Sequence, residues 1–132
     1  MPIDGQYSIC EAFARQEGWY AQVPKATRCQ RNNNPGNIRY GNFALHHNAV
    51  GKDSDGFAIF SNPQDGFNCM SDLLIAAYLG LTLKQAVYKW APPFENDSNV
   101  YVQNVCSFTG LNPYTILTAD LLRPPQVEDK NV

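Results

Sequence analysis

One glutamate stands at the end of a predicted helix, on its apolar side. Cys10 and Phe13 recur at helical spacing, which predicts a helix over 6–17. Gly18 follows, a residue suited to a left-handed helix end. At 100° per residue, Glu17 lies about 20° from Cys10 and about 40° from Phe13 around the helix axis. Because an apolar setting raises the pKa of a carboxyl, Glu17 is a candidate general acid of the kind that glycoside cleavage requires.

Side chains that suit a sugar surround this glutamate in the sequence. The amides of Asn32–Asn34 can hydrogen-bond N-acetyl and hydroxyl groups without carrying charge. Five aromatic residues could offer flat faces to sugar rings: Trp19, Tyr20, Tyr40, Trp90 and Tyr101. The alternative is structural, with Glu17 as an exposed helix-end residue and the aromatics as core.

The predicted elements describe a mostly helical α+β domain with a small antiparallel β-hairpin after the first helix. Loops are predicted over 18–36 and 41–56, with the strands Ile38–Tyr40 and Phe57–Phe60 beside the second loop. Three further helices follow, namely one capped by Asn62 and ended by Gly80, one from Thr82 to Trp90, and one capped by Ser98 or Asn99 and ended by Gly110. We expect one lysozyme-like domain over 1–122 and a loosely held tail over 123–132.

Composition excludes several classes of partner. The chain has 132 residues, enough for one domain, and ten Lys and Arg against twelve Asp and Glu give a net charge of −2. Nucleic acid is therefore not expected as a partner. The longest apolar run, Leu73–Leu79, is too short to insert into a membrane. The first residues lack the pattern of a signal peptide, so we expect export by another route or a leader that has been removed.

The four cysteines are Cys10, Cys29, Cys69 and Cys106. None forms a CxxC pair, which argues against a thiolate zinc site. An even number in a small, turn-rich chain predicts two disulfides and an oxidising compartment, each bridge contributing about 3–4 kcal/mol. Three pairings are possible, and we favour Cys10–Cys29 with Cys69–Cys106. The alternative is four reduced, buried thiols.

Several motifs, in order, resemble one family of enzymes. The helix end Ala14–Trp19 (Ala-Arg-Gln-Glu-Gly-Trp) is similar to that of lysozyme-like lytic transglycosylases and bacterial endo-β-N-acetylglucosaminidases. The Asn turn with Pro-Gly-Asn-Ile38, the Ser-Asn-Pro-Gln-Asp65 helix cap and the segment Trp90–Asp97 before Tyr101 follow in the same order. The resemblance spans about residues 8–110, and the chain also looks like the short, single-domain forms found among phage and prophage virion proteins.

The resemblance implies that Glu17 is the general acid of an enzyme that cleaves the β-1,4 glycan of peptidoglycan, degrading the cell wall. Tyr101 would point its hydroxyl at the reacting sugar. Asp55, or less favourably Asp53, would be a second catalytic carboxylate, whereas a transglycosylase needs Glu17 alone. The residues expected to bind substrate are Asn33, Asn34, Asn37, Arg39, Trp19, Tyr40 and Asn96.

Other chemistries remain open at this stage. A cysteine peptidase could pair Cys10 with His46 or His47. The two histidines with Asp53 could hold a metal, although their spacing is not diagnostic. The acidic run over 95–97 either caps the next helix or brings Asn96 or Asp97 to substrate.

Our leading hypothesis is a monomeric glycosidase without cofactor or metal. Its partner would be peptidoglycan glycan strands, with neither nucleic acid nor membrane insertion, and it would act outside the cytoplasm: periplasmic, secreted or carried by a virion or secretion assembly. The alternative is a non-catalytic lysozyme-like module that binds glycan or serves as a virion or cell-surface structural part.

Overall fold

The computed structural model describes residues 1–127. Over this range the chain forms six helices and one two-stranded antiparallel sheet, which confirms the α+β class. In chain order the elements are α1 (Ile9–Glu17), α2 (Arg28–Arg31), α3 (Asn42–Leu45), β1 (Ala49–Lys52), β2 (Ala58–Phe60), α4 (Pro63–Tyr78), α5 (Leu83–Trp90) and α6 (Ser98–Thr109).

Helix α1 ends as the sequence predicts but begins later. Gly18 adopts φ 100°, and its N–H donates to the carbonyl oxygens of Ala14 and Arg15. At the other end, the Ser8 hydroxyl accepts from the Glu11 N–H while the Glu11 carboxylate accepts from the Ser8 N–H. This capping box starts the helix after Ser8, so residues 6–8 lie before the helix and not within it.

The core is built where α1, α4 and α6 meet, and α5 packs against α6. Its largest fully buried side chains include Phe13 of α1, Phe60 of β2, Phe67 and Leu74 of α4, and Val105 of α6. Helices α4 and α5 begin at the predicted caps, Asn62 and Thr82. Helix α6 begins one residue early, because the Asp97 side chain accepts from the Val100 N–H.

The sheet has a different first strand from the predicted one. Strand β2 pairs with β1, which lies within the segment that was predicted to be a polar loop. The predicted first strand, 38–40, contributes only an isolated bridge between Arg39 and Phe57. Hydrogen bonds from the Ala58 N–H to Ile38 and from the Tyr40 N–H to Gly56 flank this bridge. The prediction missed β1 because its sequence, Ala-Val-Gly-Lys, has little β-propensity of its own.

Residues 32–37 form a tightly hydrogen-bonded turn, which we call the asparagine turn, and it joins segment 38–40 to the sheet. Asn34 is fully buried, and its Nδ2 donates to the carbonyl oxygens of Ile38 and Ala58, both at 2.9 Å. Its Oδ1 accepts from the Ile38 N–H at 3.0 Å. Asn33 and Asn37 take positive φ, at 50° and 47°, which asparagine tolerates better than most residues. The short helix α2 before the turn was missed, although Thr27 and Gln30 form its capping box.

No disulfide forms among the four cysteines, so both predicted pairings, Cys10–Cys29 and Cys69–Cys106, are wrong. The Cys10 thiol contacts the carbonyl oxygen of Leu122 at 3.6 Å, and the Cys29 thiol contacts that of Glu17 at 3.5 Å. Burial raises the pKa of Cys10 and of Cys69 to about 12. These thiols are packed as small apolar groups, and Cys10 is too poorly ionised to be a peptidase nucleophile.

The predicted C-terminal tail, 123–132, lies partly outside the described residues. Within the described part, the Gln64 side chain of α4 donates to the carbonyl oxygen of Pro125 at 3.0 Å and accepts from the Val127 N–H at 2.8 Å. These two hydrogen bonds hold 125–127 against the start of α4. None of the helices in residues 1–127 is long and apolar enough to span a membrane.

Gly66 lets α4 approach the asparagine turn. A Cβ on this residue would lie 2.0 Å from the Asn33 carbonyl oxygen and 2.7 Å from Cδ of Pro35. We therefore expect Gly66→Ala to lower the free energy of unfolding by about 3 kcal/mol, because backbone must move to admit the methyl group. Urea unfolding of the purified variant measures this change.

Gly51→Ala is the matched control, since nothing lies within 4 Å of its Cβ position. Its free energy of unfolding should stay within about 1 kcal/mol of wild type. Equal stabilities of the two variants would contradict the close approach of α4 to the turn.

Candidate active site

The Glu17 carboxyl lies between two donors that come from distant parts of the chain. Its Oε2 accepts from the Tyr101 hydroxyl of α6 at 3.0 Å. Its Oε1 accepts from Nδ2 of Asn37, in the asparagine turn, at 3.3 Å. The last turn of α1, the side of α6 and the turn thus converge on one carboxyl.

The pKa of Glu17 is raised, and burial is the main cause. The hydrogen bonds from Asn37 and Tyr101 act in the opposite direction, because they favour the ionised form. The pKa of Tyr101 is also raised, by burial and then by the neighbouring Glu17 charge, so its hydroxyl stays a neutral donor. Glu17 therefore holds its proton to higher pH than an ordinary glutamate, with two donors in place for the anion.

Asn37 can serve both protonation states of Glu17. Its Nδ2 donates to the carboxylate, whereas its Oδ1 is buried and has no hydrogen-bond partner within the described residues. A half-turn of the amide would exchange these two atoms, so that Oδ1 accepts the proton of the neutral acid. The positive φ of Asn37 sets the backbone that aims this amide at Glu17.

Glu17 faces an open cleft of about 620 Å³, which we call the Glu17 cleft. One wall comes from the turn and segment 38–40, and the other from α4, the end of α5 and the loop after it. The lining residues are Glu17, Arg28, Gly36, Asn37, Ile38, Arg39, Phe43, Phe57, Leu73, Trp90, Ala91, Glu95 and Asn96. The cleft therefore combines one partly buried acid, an aromatic wall at Trp90 and a polar rim.

Three of the predicted substrate-binding residues line the Glu17 cleft: Asn37, Arg39 and Asn96. Tyr101 contacts the Glu17 carboxyl from the protein interior, since the residue is only 4% exposed and its hydroxyl donates to Glu17. Its position suits holding the carboxyl more than touching a sugar.

Four other residues that were predicted to bind substrate do not line the Glu17 cleft. Asn34 has no exposed surface, and its amide is fully used within the turn. Tyr40 is half-buried outside the cleft, with its backbone paired to Gly56. Trp19 and Asn33 line a different cleft. Spacing on a loop could not show to which side each side chain turns.

The two candidate second carboxylates are held by the loop before β2. Asp53 accepts from the backbone N–H groups of Asp55 and Phe57 and from the Asn32 amide, and the Asn32 hydrogen bond is the main cause of its lowered pKa. The Asp55 side chain is 65% exposed and contacts Arg28 at 3.2 Å. Neither lines the Glu17 cleft, where the second carboxylate among the described residues is Glu95. The acidic run over 95–97 is the only sequence signal for it.

Two arginines stack on one aromatic ring in the lining of the cleft. The guanidinium carbons of Arg28 and Arg39 lie 4.2 and 4.3 Å from the centre of the Phe57 ring. Arg28 and Phe57 were missed by the sequence reasoning, because no local pattern connects two residues so far apart in the chain. The stack holds the rim of the cleft in a defined shape.

The histidines do not join Asp53 in a metal site. The His46 ring contacts the Asn42 carbonyl oxygen at 2.7 Å, and His47 stacks on Phe43 with the ring centres 3.9 Å apart. Within residues 1–127, no three His, Cys, Asp or Glu side chains are grouped so that they could hold a metal ion.

The raised pKa of Glu17 has a consequence for stability. A carboxyl whose pKa is higher in the folded than in the unfolded chain binds its proton more tightly when folded. Stability is then greatest below the unfolded pKa, near 4.5, and falls as the pH rises through the folded pKa. Glu17→Gln removes this loss, so wild type should lose more free energy of unfolding between pH 4 and pH 8 than the variant does. Urea unfolding of both proteins at the two pH values measures the difference.

Gln103→Ala, at an exposed side chain of α6 outside the Glu17 cleft, is the control, and its pH dependence should follow wild type. A Glu17→Gln variant that loses as much stability as wild type over this range would contradict the raised pKa.

Comparison of the chain with known protein families, with curated proteins and with solved structures finds no match. What the protein can do must therefore follow from its own residues. These are a partly buried acid, its two neutral donors and an open cleft with an aromatic wall and a polar rim.

Proposed function

We propose that this protein cleaves the β-1,4 glycan strand of peptidoglycan with Glu17 as the general acid. The observation that carries the proposal is a carboxyl of raised pKa, held by Asn37 and Tyr101, in an open cleft. A glycosidic oxygen is a poor leaving group until it is protonated, and a neutral carboxylic acid in such a site supplies that proton. Trp90 and Asn96 in the cleft walls suit a ligand of sugar rings with N-acetyl groups.

The two donors account for both halves of a one-glutamate mechanism. Glu17 gives its proton to the glycosidic oxygen as the bond to the anomeric carbon breaks, and the resulting carboxylate accepts from Tyr101 and Asn37. The carboxylate then takes a proton from the group that attacks the anomeric carbon. If that group is water, the product has a reducing end, and if it is the 6-hydroxyl of the same sugar, the product is a 1,6-anhydro ring.

The positions of the aspartates favour the mechanism with a single carboxylate. Asp53 anchors its loop, and Asp55 contacts Arg28 outside the Glu17 cleft. A transglycosylase needs no second carboxylate, so we propose the anhydro-forming reaction as the leading version. Glu95, on the rim, is the residue that could direct water in a hydrolase.

A lysozyme-like fold of the short phage or prophage type remains part of the proposal. Its support is the order of elements: a helix ending in the acid, a small sheet, then the long helix α4 and the pair α5–α6. Action outside the cytoplasm is proposed from the substrate alone, because the four free thiols remove the argument from disulfides. The net charge of −2 would not draw the protein to an anionic wall, which favours delivery by a larger virion or secretion assembly.

The test is release of soluble fragments from purified peptidoglycan by wild type and by Glu17→Gln. The amide keeps the shape of the side chain but has no acidic proton, so the rate should fall by about 10²–10⁴-fold. Glu95→Gln, in the same cleft, should retain activity within a few-fold if one carboxylate suffices. Mass spectrometry of the wild-type fragments should show ends about one water lighter than reducing ends.

Undiminished release by Glu17→Gln would overturn the proposed role of this residue. Reducing ends together with a large loss in Glu95→Gln would replace the transglycosylase with a hydrolase. Tight sedimentation of wild type with peptidoglycan and no released fragments would favour the non-catalytic binding module instead.

A further inference from the structure

A second cleft lies on another side of the end of α1. It has a volume of about 700 Å³ and shares no lining residue with the Glu17 cleft. We call it the Trp19 cleft, after the residue that begins its aromatic wall. Trp19 and Asn33, both expected to bind substrate, are brought together here.

The aromatic wall of the Trp19 cleft is held rigidly. The Trp19 ring packs edge-on against Phe67 of α4, with centres 5.5 Å apart and planes at 83°. Tyr20 packs in the same way on Tyr7, with centres 5.8 Å apart. Both rings are only partly buried, so each keeps surface toward the cleft without having to reorder when a ligand binds.

Amide groups line the same cleft. Asn33 donates through Nδ2 to the Phe60 carbonyl oxygen at 3.0 Å, and no group in residues 1–127 donates to its Oδ1. Its positive φ and the close approach of Gly66 fix its place. Gln22 is exposed at the edge, and its side chain makes no hydrogen bond within the same range. The cleft thus offers both an acceptor and a free amide.

Charged side chains are scarce among the described residues that line the cleft. No lysine or arginine side chain of the described residues lines it, and its one acidic side chain, Glu11, is engaged by the Ser8 N–H and by the Tyr20 hydroxyl. An anionic ligand, such as the carboxylates of a peptide stem, would find no lysine or arginine side chain of residues 1–127 in the lining to pair with. Aromatic surface with uncharged amides suits a neutral ligand that has apolar ring faces and hydroxyl or acetamido groups.

We propose that the Trp19 cleft is a second saccharide-binding site, which takes an N-acetylated oligosaccharide segment without cleaving it. The inference rests on the proposed function for the choice of glycan, but it does not depend on the chemistry of Glu17. A strand bound here would keep the protein on its polymer while the Glu17 cleft releases one product and accepts the next segment.

The chain's two tryptophans allow the two clefts to be observed separately. Trp19 lines one and Trp90 the other. In a Glu17→Gln background, which prevents cleavage, Trp90→Phe leaves Trp19 as the only indole, and Trp19→Phe leaves Trp90. Each protein is titrated with the N-acetylglucosamine tetramer while tryptophan emission is recorded. We expect a saturable change from Trp19 as well as from Trp90.

Gln22→Ala should raise the dissociation constant measured through Trp19 at least three-fold. The dissociation constant measured through Trp90 should be unchanged. Gln103→Ala, exposed on α6 and outside both clefts, is the matched control and should alter neither. Because Trp90 packs on Phe13 and against Gly36, its replacement could unfold the chain. Fluorine NMR of 5-fluorotryptophan in the Glu17→Gln chain, with both indoles present, then gives the same two readouts.

A Trp19 signal that stays constant to 10 mM tetramer while Trp90 responds would overturn the second site and leave the proposed function intact. A response of Trp19 alone would support the second site and count against glycan binding in the Glu17 cleft. Titration with a free peptide stem should leave Trp19 unchanged, and saturable binding of that peptide in place of the saccharide would also overturn the proposal.

Discussion

The partial burial of one carboxyl, Glu17, between Asn37 and Tyr101 is the constraint on which the rest of this structure depends. An ionised carboxylate is costly to remove from water, and here two donors recover only part of that cost, so the pKa of Glu17 rises. The donors come from α6 and from the asparagine turn, far from Glu17 in the chain. Any change that separates these three elements would return Glu17 to an ordinary surface acid.

The asparagine turn keeps Asn37 in place. The Asn34 side chain hydrogen-bonds backbone groups of Ile38 and of Ala58, at the edge of β2, and so links the two segments as strand pairing would. Gly66 then allows α4 to lie directly against the Asn33 carbonyl. The turn is therefore fixed on two sides, and Asn33 and Asn37 face two different clefts. One short segment shapes both proposed binding sites.

Much of this arrangement could be predicted from sequence, where local chemistry decides the outcome. Local patterns predict the caps at Asn62 and Thr82, the glycine at the end of α1 and the position of Glu17 on the apolar side of that helix. The structure has these features where they were expected. Contacts between distant residues could not be predicted in the same way. The pairing of β1 with β2, the stack on Phe57 and the separation of Trp19 from Glu17 depend on how the elements pack. The disulfide prediction failed for the same reason, because an even number of cysteines says nothing about where each thiol is buried.

The central claim, that burial raises the pKa of Glu17 so that it keeps its proton to higher pH than an ordinary glutamate, can be measured directly. Chain labelled with ¹³C at glutamate side chains is titrated by NMR, and Glu17→Gln assigns the carboxyl resonance by its loss. We predict a pKa above 4.5 for Glu17 in wild type, and a still higher pKa in Tyr101→Phe, where one donor to the carboxylate is lost. Tyr114→Phe, at an exposed tyrosine, should leave the pKa unchanged. A Glu17 pKa at or below 4.5 in wild type, or one that does not respond to Tyr101→Phe, would contradict the account.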